Sequence, residues 1–297
     1  MSQETIQKTF QVSSSVRVDL SNIRGSVDVR PSEGNLVEVT AIKHTDNGDA
    51  DATEIELSQA LDGSVKIATH FPDGWWLWLV GSQPCRVDYI VKVPQGSKLK
   101  LKGVENSVLV DGLEGEFSLA TVSGDLTLQK LTGPTRVNTV SGDVSISGLS
   151  GAFDFVTVSG DLDVSEGRLT LIHAKTVSGN LAIQTSLSNG PYRFDSVSGD
   201  VRLQLPTETR CSAHLSSLNG DIFSEFPTSN TLRRHGKQAM DIQGGGVMIT
   251  ASSISGNLQL YADGSAPRIE SVDRRSILER LERGEIKPEE ALAQMQG

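Results

Sequence analysis

Cysteine is nearly missing from the 297 residues, and the two present, Cys85 and Cys211, lie far apart with no Cys-x-x-Cys pairing. Neither a disulfide framework nor a zinc site is signalled, and both thiols read as free and buried. Aromatic residues are scarce at 5%, which suits narrow β coils better than a thick α/β core. No apolar run approaches the roughly 18 residues that a membrane-spanning helix needs. The first eight residues lack the basic start and apolar stretch of a secretory signal, so a cytoplasmic location is expected. Positive charge is in deficit, with 27 basic against 37 acidic residues and a net charge of −10. That balance argues against nucleic acid or a bare anionic membrane as the main partner. The five histidines, His44, His70, His173, His214 and His235, show no metal-ligand spacing. Gly-x-Ser-x-Gly is absent, and Gly244-Gly245-Gly246 is followed by no Lys-Ser or Lys-Thr, so it is not a phosphate loop. No catalytic residue, cofactor or metal is assigned.

What the chain has in abundance is one repeated phrase. Val122-Ser123-Gly124-Asp125 returns at Val140 to Asp143, Val158 to Asp161, Val177 to Asn180 and Val197 to Asp200, with steps of 18, 18, 19 and 20 residues between the serines. Each is followed by two aliphatics one residue apart, such as Leu126 and Leu128. Leu218-Asn219-Gly220-Asp221 lies 21 residues past Ser198 when the count is made to Asn219, and Ile254-Ser255-Gly256-Asn257 lies 36 further on. Because 36 is twice 18, one coil there has lost the phrase or a loop replaces it. Val104 to Val108 and Ile23 to Val27 extend the register upstream.

A fixed short period marks a solenoid whose repeats bury their apolar faces against their neighbours. Glycine at one place in every repeat, Gly124, Gly142, Gly160, Gly179, Gly199, Gly220 and Gly256, suits a positive φ or close approach of stacked turns. The adjoining Asp125, Asp143, Asp161, Asn180, Asp200, Asp221 and Asn257 favour the same turns through short side-chain bonds to backbone. Alternation is expected to send Val122, Leu126 and Leu128 inward and Ser123, Asp125 and Thr127 to water. Leu119, Val137, Phe155, Ala174 and Phe194, three residues ahead of the phrases, are expected to form a further inward ladder. The fold expected is therefore all-β, a parallel β-helix or β-solenoid of about 18–20 residues per coil, with antiparallel hairpins the weaker alternative because hairpins do not need identical turns.

Residues 1–102 read as an N-terminal β region that caps or begins the solenoid, 103–262 as the repeated solenoid, 263–274 as a linker and 275–297 as a helical hairpin. Within the first, Asp62-Gly63 marks a hairpin between two strands. Trp75, Trp76 and Trp78, all the tryptophans of the chain, read as a lid over the solenoid end or as an exposed loop that contacts a partner or a membrane interface. Pro227 to Gln238, with Arg233, Arg234, His235 and Lys237, reads as a solvated loop or, through its positive charge on an acidic protein, as an anion or partner contact. In the last segment Ser276 and Glu279 form a capping box, Gly284 suits a helix stop and Pro288 the start of a second helix. The apolar face there, with Ile277, Leu281 and Leu292, is too small for independent stability and is the expected contact for a protein partner or a second copy.

These phrases resemble those of the bacterial putative-adhesin domain family, a group of unknown function with repeated Val-Ser-Gly-Asp on a β-helical fold; the resemblance covers residues 5 to 262. The run Ile277-Leu278-x-x-Leu281-x-x-Gly284-x-Ile286-x-Pro288-Glu289-Glu290-Ala291 resembles the SHOCT-like helical module, with Lys287 where that module usually carries Ser or Thr. The resemblance implies envelope- or stress-linked scaffolding and brings no active site. The functional expectation is a non-enzymatic scaffold or interaction protein. A peripheral membrane sensor using the tryptophans is one alternative. A carbohydrate-acting β-helix enzyme is another, and it requires an acid cluster in a groove. Stacked Asp125, Asp143 and Asp161 repel by about 0.9 kcal/mol per neighbour in water, and they read as turn formers rather than calcium ligands.

Overall fold

The computed structural model describes residues 3–46, 48–72, 83–234 and 236–263. The described chain forms 22 β-strands and contains no helix. Residues 264–274 of the expected linker, the expected helical hairpin with Ile277, Leu281 and Leu292, the tryptophans Trp75, Trp76 and Trp78, and His235 lie outside the described residues.

The first seven strands are β1 (Gln3–Gln11), β2 (Arg17–Pro31), β3 (Leu36–His44), β4 (Glu54–Gln59), β5 (Val65–His70), β6 (Arg86–Val93) and β7 (Ser97–Asp111). Both β2 and β7 are 15 residues long and bend across a corner, so each supplies a strand to two faces of the rod. They run parallel in register from Arg17↔Lys98 through Val18↔Leu99 to Val29↔Val110. The other five strands finish this end: β4–β5, β1–β3 and β3–β6 pair antiparallel, while β5 and β6 join β2 in parallel.

The repeats supply β8 (Gly115–Ser123), β9 (Leu126–Gln129), β10 (Thr135–Thr139), β11 (Val144–Ser147), β12 (Ser150–Ser159), β13 (Leu162–Ser178), β14 (Leu181–Thr185), β15 (Tyr192–Ser198) and β16 (Val201–Leu205). Every pairing among them is parallel and steps by one repeat: Leu119↔Val137↔Phe155↔Ala174↔Phe194 on one face, Leu126↔Val144↔Leu162↔Leu181↔Val201 on the other. The fold is a β-solenoid. Its core is the double stack of these inward aliphatics and aromatics, all nearly inaccessible. Removing one, as in Leu128→Ala, is worth about 2–5 kcal/mol by the usual transfer and cavity terms.

The far end departs from sequential stacking. There the chain forms β17 (Cys211–Ser217), β18 (Ile222–Ser224), β19 (Thr228–Arg234), β20 (Lys237–Ile242), β21 (Val247–Ser255) and β22 (Leu258–Ala262). Strand β21 pairs with β15 and with β17, and β22 with β16 and with β18. The last coil in sequence is thus inserted beneath the one before it. The 36-residue step contains a hairpin in place of a coil: β19 and β20 pair antiparallel, and β20 closes onto β17. Residues 228–234, expected to be loop, are therefore an edge strand. Its row of exposed residues, the positive φ of Asn230 and the register shift between Ser229 and Leu232 make it a poor template for further pairing.

One inward expectation is overturned. The phrase valines point outward: Val122, Val140 and Val158 are 47–48% exposed, and Val177 and Val197 are 42% and 43%. The inward slot belongs to the residue before each, Thr121, Thr139, Thr157, Thr176 and Ser196, all buried. Leu119 and Val122 are three apart, and a period of two cannot place both on one side. Beyond Val122 the glycine, at φ +100, turns the corner, and alternation does not carry through it to Leu126.

Candidate functional site

The repeated corner is built from three columns. In the glycine column, a Cβ on Gly142 would lie 2.3 Å from the carbonyl oxygen of Gly124, one on Gly160 2.2 Å from that of Gly142, and one on Gly179 2.1 Å from that of Gly160. These residues also hold φ of +120, +124 and +140. Both reasons for glycine therefore apply at once. At the Val104 coil Asn106 takes the place, buried, and donates Nδ2 to the carbonyl oxygen of Asn22 at 3.0 Å.

In the acidic column each side chain accepts the backbone N–H of its counterpart one rung on. Oδ1 of Asp125 accepts from Asp143 at 3.1 Å, Asp143 from Asp161 at 2.9 Å, and Asp161 from Asn180 at 2.7 Å. Asn180 accepts from Asp200 at 3.0 Å, Asp200 from Asn257 at 2.7 Å, and Asn257 from Asp221 at 3.0 Å. The bond order follows the spatial order of coils, with Asn257 between Asp200 and Asp221. Only an acceptor is required, which is why asparagine alternates with aspartate. Inside the corner, hydroxyls finish the turn: Thr139 and Thr157 donate to the carbonyl oxygens of Ser141 and Ser159 at 3.2 and 3.1 Å. Nothing in the sequence singled out these threonines beyond their place in the repeat.

The third column is apolar and faces solvent. Strand register stacks Val104 on Val122, Val158 on Val177 and Val177 on Val197, then Ile254 beyond Val197. The amide of Ser141 on Val122 O and that of Ser159 on Val140 O carry the column through the central coils, and Asn219 N on Ile254 O adds Leu218 at the end. Ile254 and Leu218 are 52% and 75% exposed.

On the opposite corner lies a groove of about 620 Å³ lined by residues that include Lys130, Glu166, Arg168, Gln184, Gln204 and Asp263. The corner beside it stacks Gly112, Lys130, Gly148 and Glu166 in left-handed conformations, with φ of 71, 50, 72 and 53, and the last three line the groove. Asp263 accepts the side-chain amides of Gln184 and Gln204 at 3.0 and 3.2 Å. Among the described residues only Glu166 and Asp263 supply carboxylates to this lining, and Asp263 is bonded to the amides of Gln184 and Gln204. Among the described residues no group of three or more His, Cys, Asp or Glu is placed to hold a metal ion. Nor is any described helix long and apolar enough to cross a membrane.

The two cysteines are buried and free, and burial pushes the Cys211 thiol up to about 11. The glycines and acids expected to form the repeated turn come together in columns, whereas the expected contact residues, the tryptophans and the apolar face of 275–297, are outside the described residues.

A family model described as Toastrack DUF4097 matches residues 15–261. Among solved structures, the chain is similar to a putative adhesin from Bacteroides fragilis, at 11% identity over 86% of this chain and 97% of that one, TM-score 0.46. It is also similar to a putative cell adhesion protein from Clostridium sporogenes, at 10% identity over 88% and 100%, TM-score 0.33. A third is a putative lipid binding protein from Parabacteroides distasonis, at 11% identity over 86% and 96%, TM-score 0.36. The comparison with curated proteins gives no match.

Proposed function

The chain belongs to the Toastrack DUF4097 family, and we propose that it acts as a non-enzymatic scaffold, a stiff β-solenoid that holds protein partners along its side. The observation that carries this reading is the outward aliphatic column from Val104 to Leu218. A solvent-facing strand position tolerates polar residues, yet here Val, Ile or Leu recurs on coil after coil. An apolar strip of this length is the kind of surface that marks an interaction site. The segment 275–297 is a second contact surface in this proposal, on the strength of its sequence alone.

The test is affinity capture with the full chain against a variant carrying Val140→Thr, Val158→Thr and Val177→Thr. Threonine keeps the β-branched shape, so the melting temperature should stay within a few degrees. Proteins retained by the wild type and lost by the variant are expected; an identical set from both overturns the reading.

A further inference from the structure

We infer that the aliphatic column is where two copies of this chain pair side by side, with their columns parallel and a two-fold axis running along the rod. The inference rests on the scaffold reading and names its partner.

The column is long and flanked unequally. Nine rungs, from Ile23 beside Val104 to Leu218, span about 38 Å at about 4.8 Å per rung. On one side runs the acidic column, with the exposed Asp125, Asp143, Asp161 and Asp221 and the partly exposed Asp200. On the other side stand Lys102 and Lys175, two residues before Val104 and Val177 and on the same outward face, with Lys100 two residues further along β7. The carboxylates on that side, Asp19 beside Lys100, Asp154 and Asp195, are already bonded to Arg17, Arg136 and Arg193 at 2.9, 2.9 and 2.7 Å. The lysines there are left without a carboxylate partner among the described ion pairs.

That asymmetry selects both the occupant and its orientation. Rotation about an axis along the rod lays valine on valine at the same height and brings the acidic edge of one copy onto the lysine edge of the other. Rotation about an axis across the rod lays acid on acid instead, which like-charge repulsion disfavours. A strip about 38 Å long and roughly 20 Å wide covers about 760 Å² per copy, close to the ~800 Å² per partner of a standard stable interface. An isologous contact of this kind is self-complementary and closes at two copies.

The closing experiment uses sedimentation velocity on the full chain over a range of concentrations, at low and high salt. A species of twice the 31.8 kDa chain mass is expected, weakened at least tenfold by Val158→Lys and, through the charged edges, by added salt or by Lys102→Glu with Lys175→Glu. Melting temperature is recorded for each variant to show that the fold is kept. Val104→Cys, near one end of the column, reports the orientation: under oxidation it should cross-link to the same residue of a second copy, which an antiparallel pair would instead place opposite Ile254, while Cys85 and Cys211 stay buried. A wild type that is monomeric throughout overturns the pairing, as does a dimer indifferent to Val158→Lys. A dimer in which Val104→Cys fails to cross-link to itself overturns the parallel arrangement. If the wild type is monomeric but the threonine variant still loses captured proteins, the scaffold reading stands without self-pairing. If the two baits also capture the same set, both fail.

Discussion

Oδ1 of Asp143 accepts the backbone amide of Asp161 at 2.9 Å, a bond across coils that lie 18 residues apart in sequence. The requirement is for an acceptor, not for charge. Asp143→Ala should therefore lower stability by about 1 kcal/mol, whereas Asp143→Asn should fall within about 0.5 kcal/mol of wild type, since it keeps the acceptor and removes like-charge repulsion along the column. Urea midpoints of the two variants decide this; equal losses would contradict it.

Glycine positions divide sharply by what surrounds them. Gly142 and Gly34 both hold positive φ, +120 and +71, but a Cβ on Gly142 meets the Gly124 carbonyl oxygen at 2.3 Å while one on Gly34 meets nothing within 4 Å. Gly34→Ala should cost about 1–2 kcal/mol, the left-handed penalty alone. Gly142→Ala forces the stacked coils apart and should cost about 4 kcal/mol or more. Comparable thermal shifts for the two would argue against close stacking at the corner.

Asp163 faces outward on β13 between Ser145 and Ala182, and half-burial pushes its carboxyl above the usual carboxylate range. Its charged form is thus disfavoured in the folded state, and the penalty is present above that raised value and absent at pH below the unfolded one. Asp163→Asn should gain roughly 0.5 kcal/mol near pH 7 after allowance for solvent screening, with the gain vanishing near pH 3. A gain that persists in acid would point to another cause.

Asp88 shows the opposite sign. Burial raises its carboxyl, but the amide and hydroxyl of Ser26 at 2.7 and 2.8 Å, with Arg86 and His44, outweigh that and hold it below the usual range. The unfolded chain binds the proton more readily, so this contribution is complete above the unfolded value of 3.8 and is lost as pH falls through the lower folded one. The acid limb of the stability profile should be shallower in Asp88→Asn than in wild type, as read from urea midpoints between about pH 7 and about pH 3.

Much of the rod was legible in the sequence because stacked coils reward identical residues at identical places. The glycines from Gly124 to Gly256, the inward Leu126 and Leu128, and the ladder from Leu119 to Phe194 could all be read that way. The direction of Val122 could not, since it was carried by alternation across a corner where a positive-φ glycine resets the count. The order of the last coils was equally closed to reading, because Leu218-Asn219-Gly220-Asp221 fits against either Val197 or Ile254, and only β21 lying between β15 and β17 decides it. The opposite corner had a usable signal that went unread. Gly112, Lys130, Gly148 and Glu166 recur at steps of 18, and the two glycines mark the left-handed conformation that Lys130 and Glu166 also adopt.

Distances between nitroxide labels on the valine column test the stacked register most directly. With the labelled chain diluted in unlabelled protein, Val140→Cys with Val158→Cys should place labels one rung apart, about 5 Å between backbones, and Val122→Cys with Val177→Cys three rungs apart, about 14 Å. The account predicts strong dipolar broadening in the first pair and much weaker broadening in the second. A first pair no more strongly coupled than the second would contradict it.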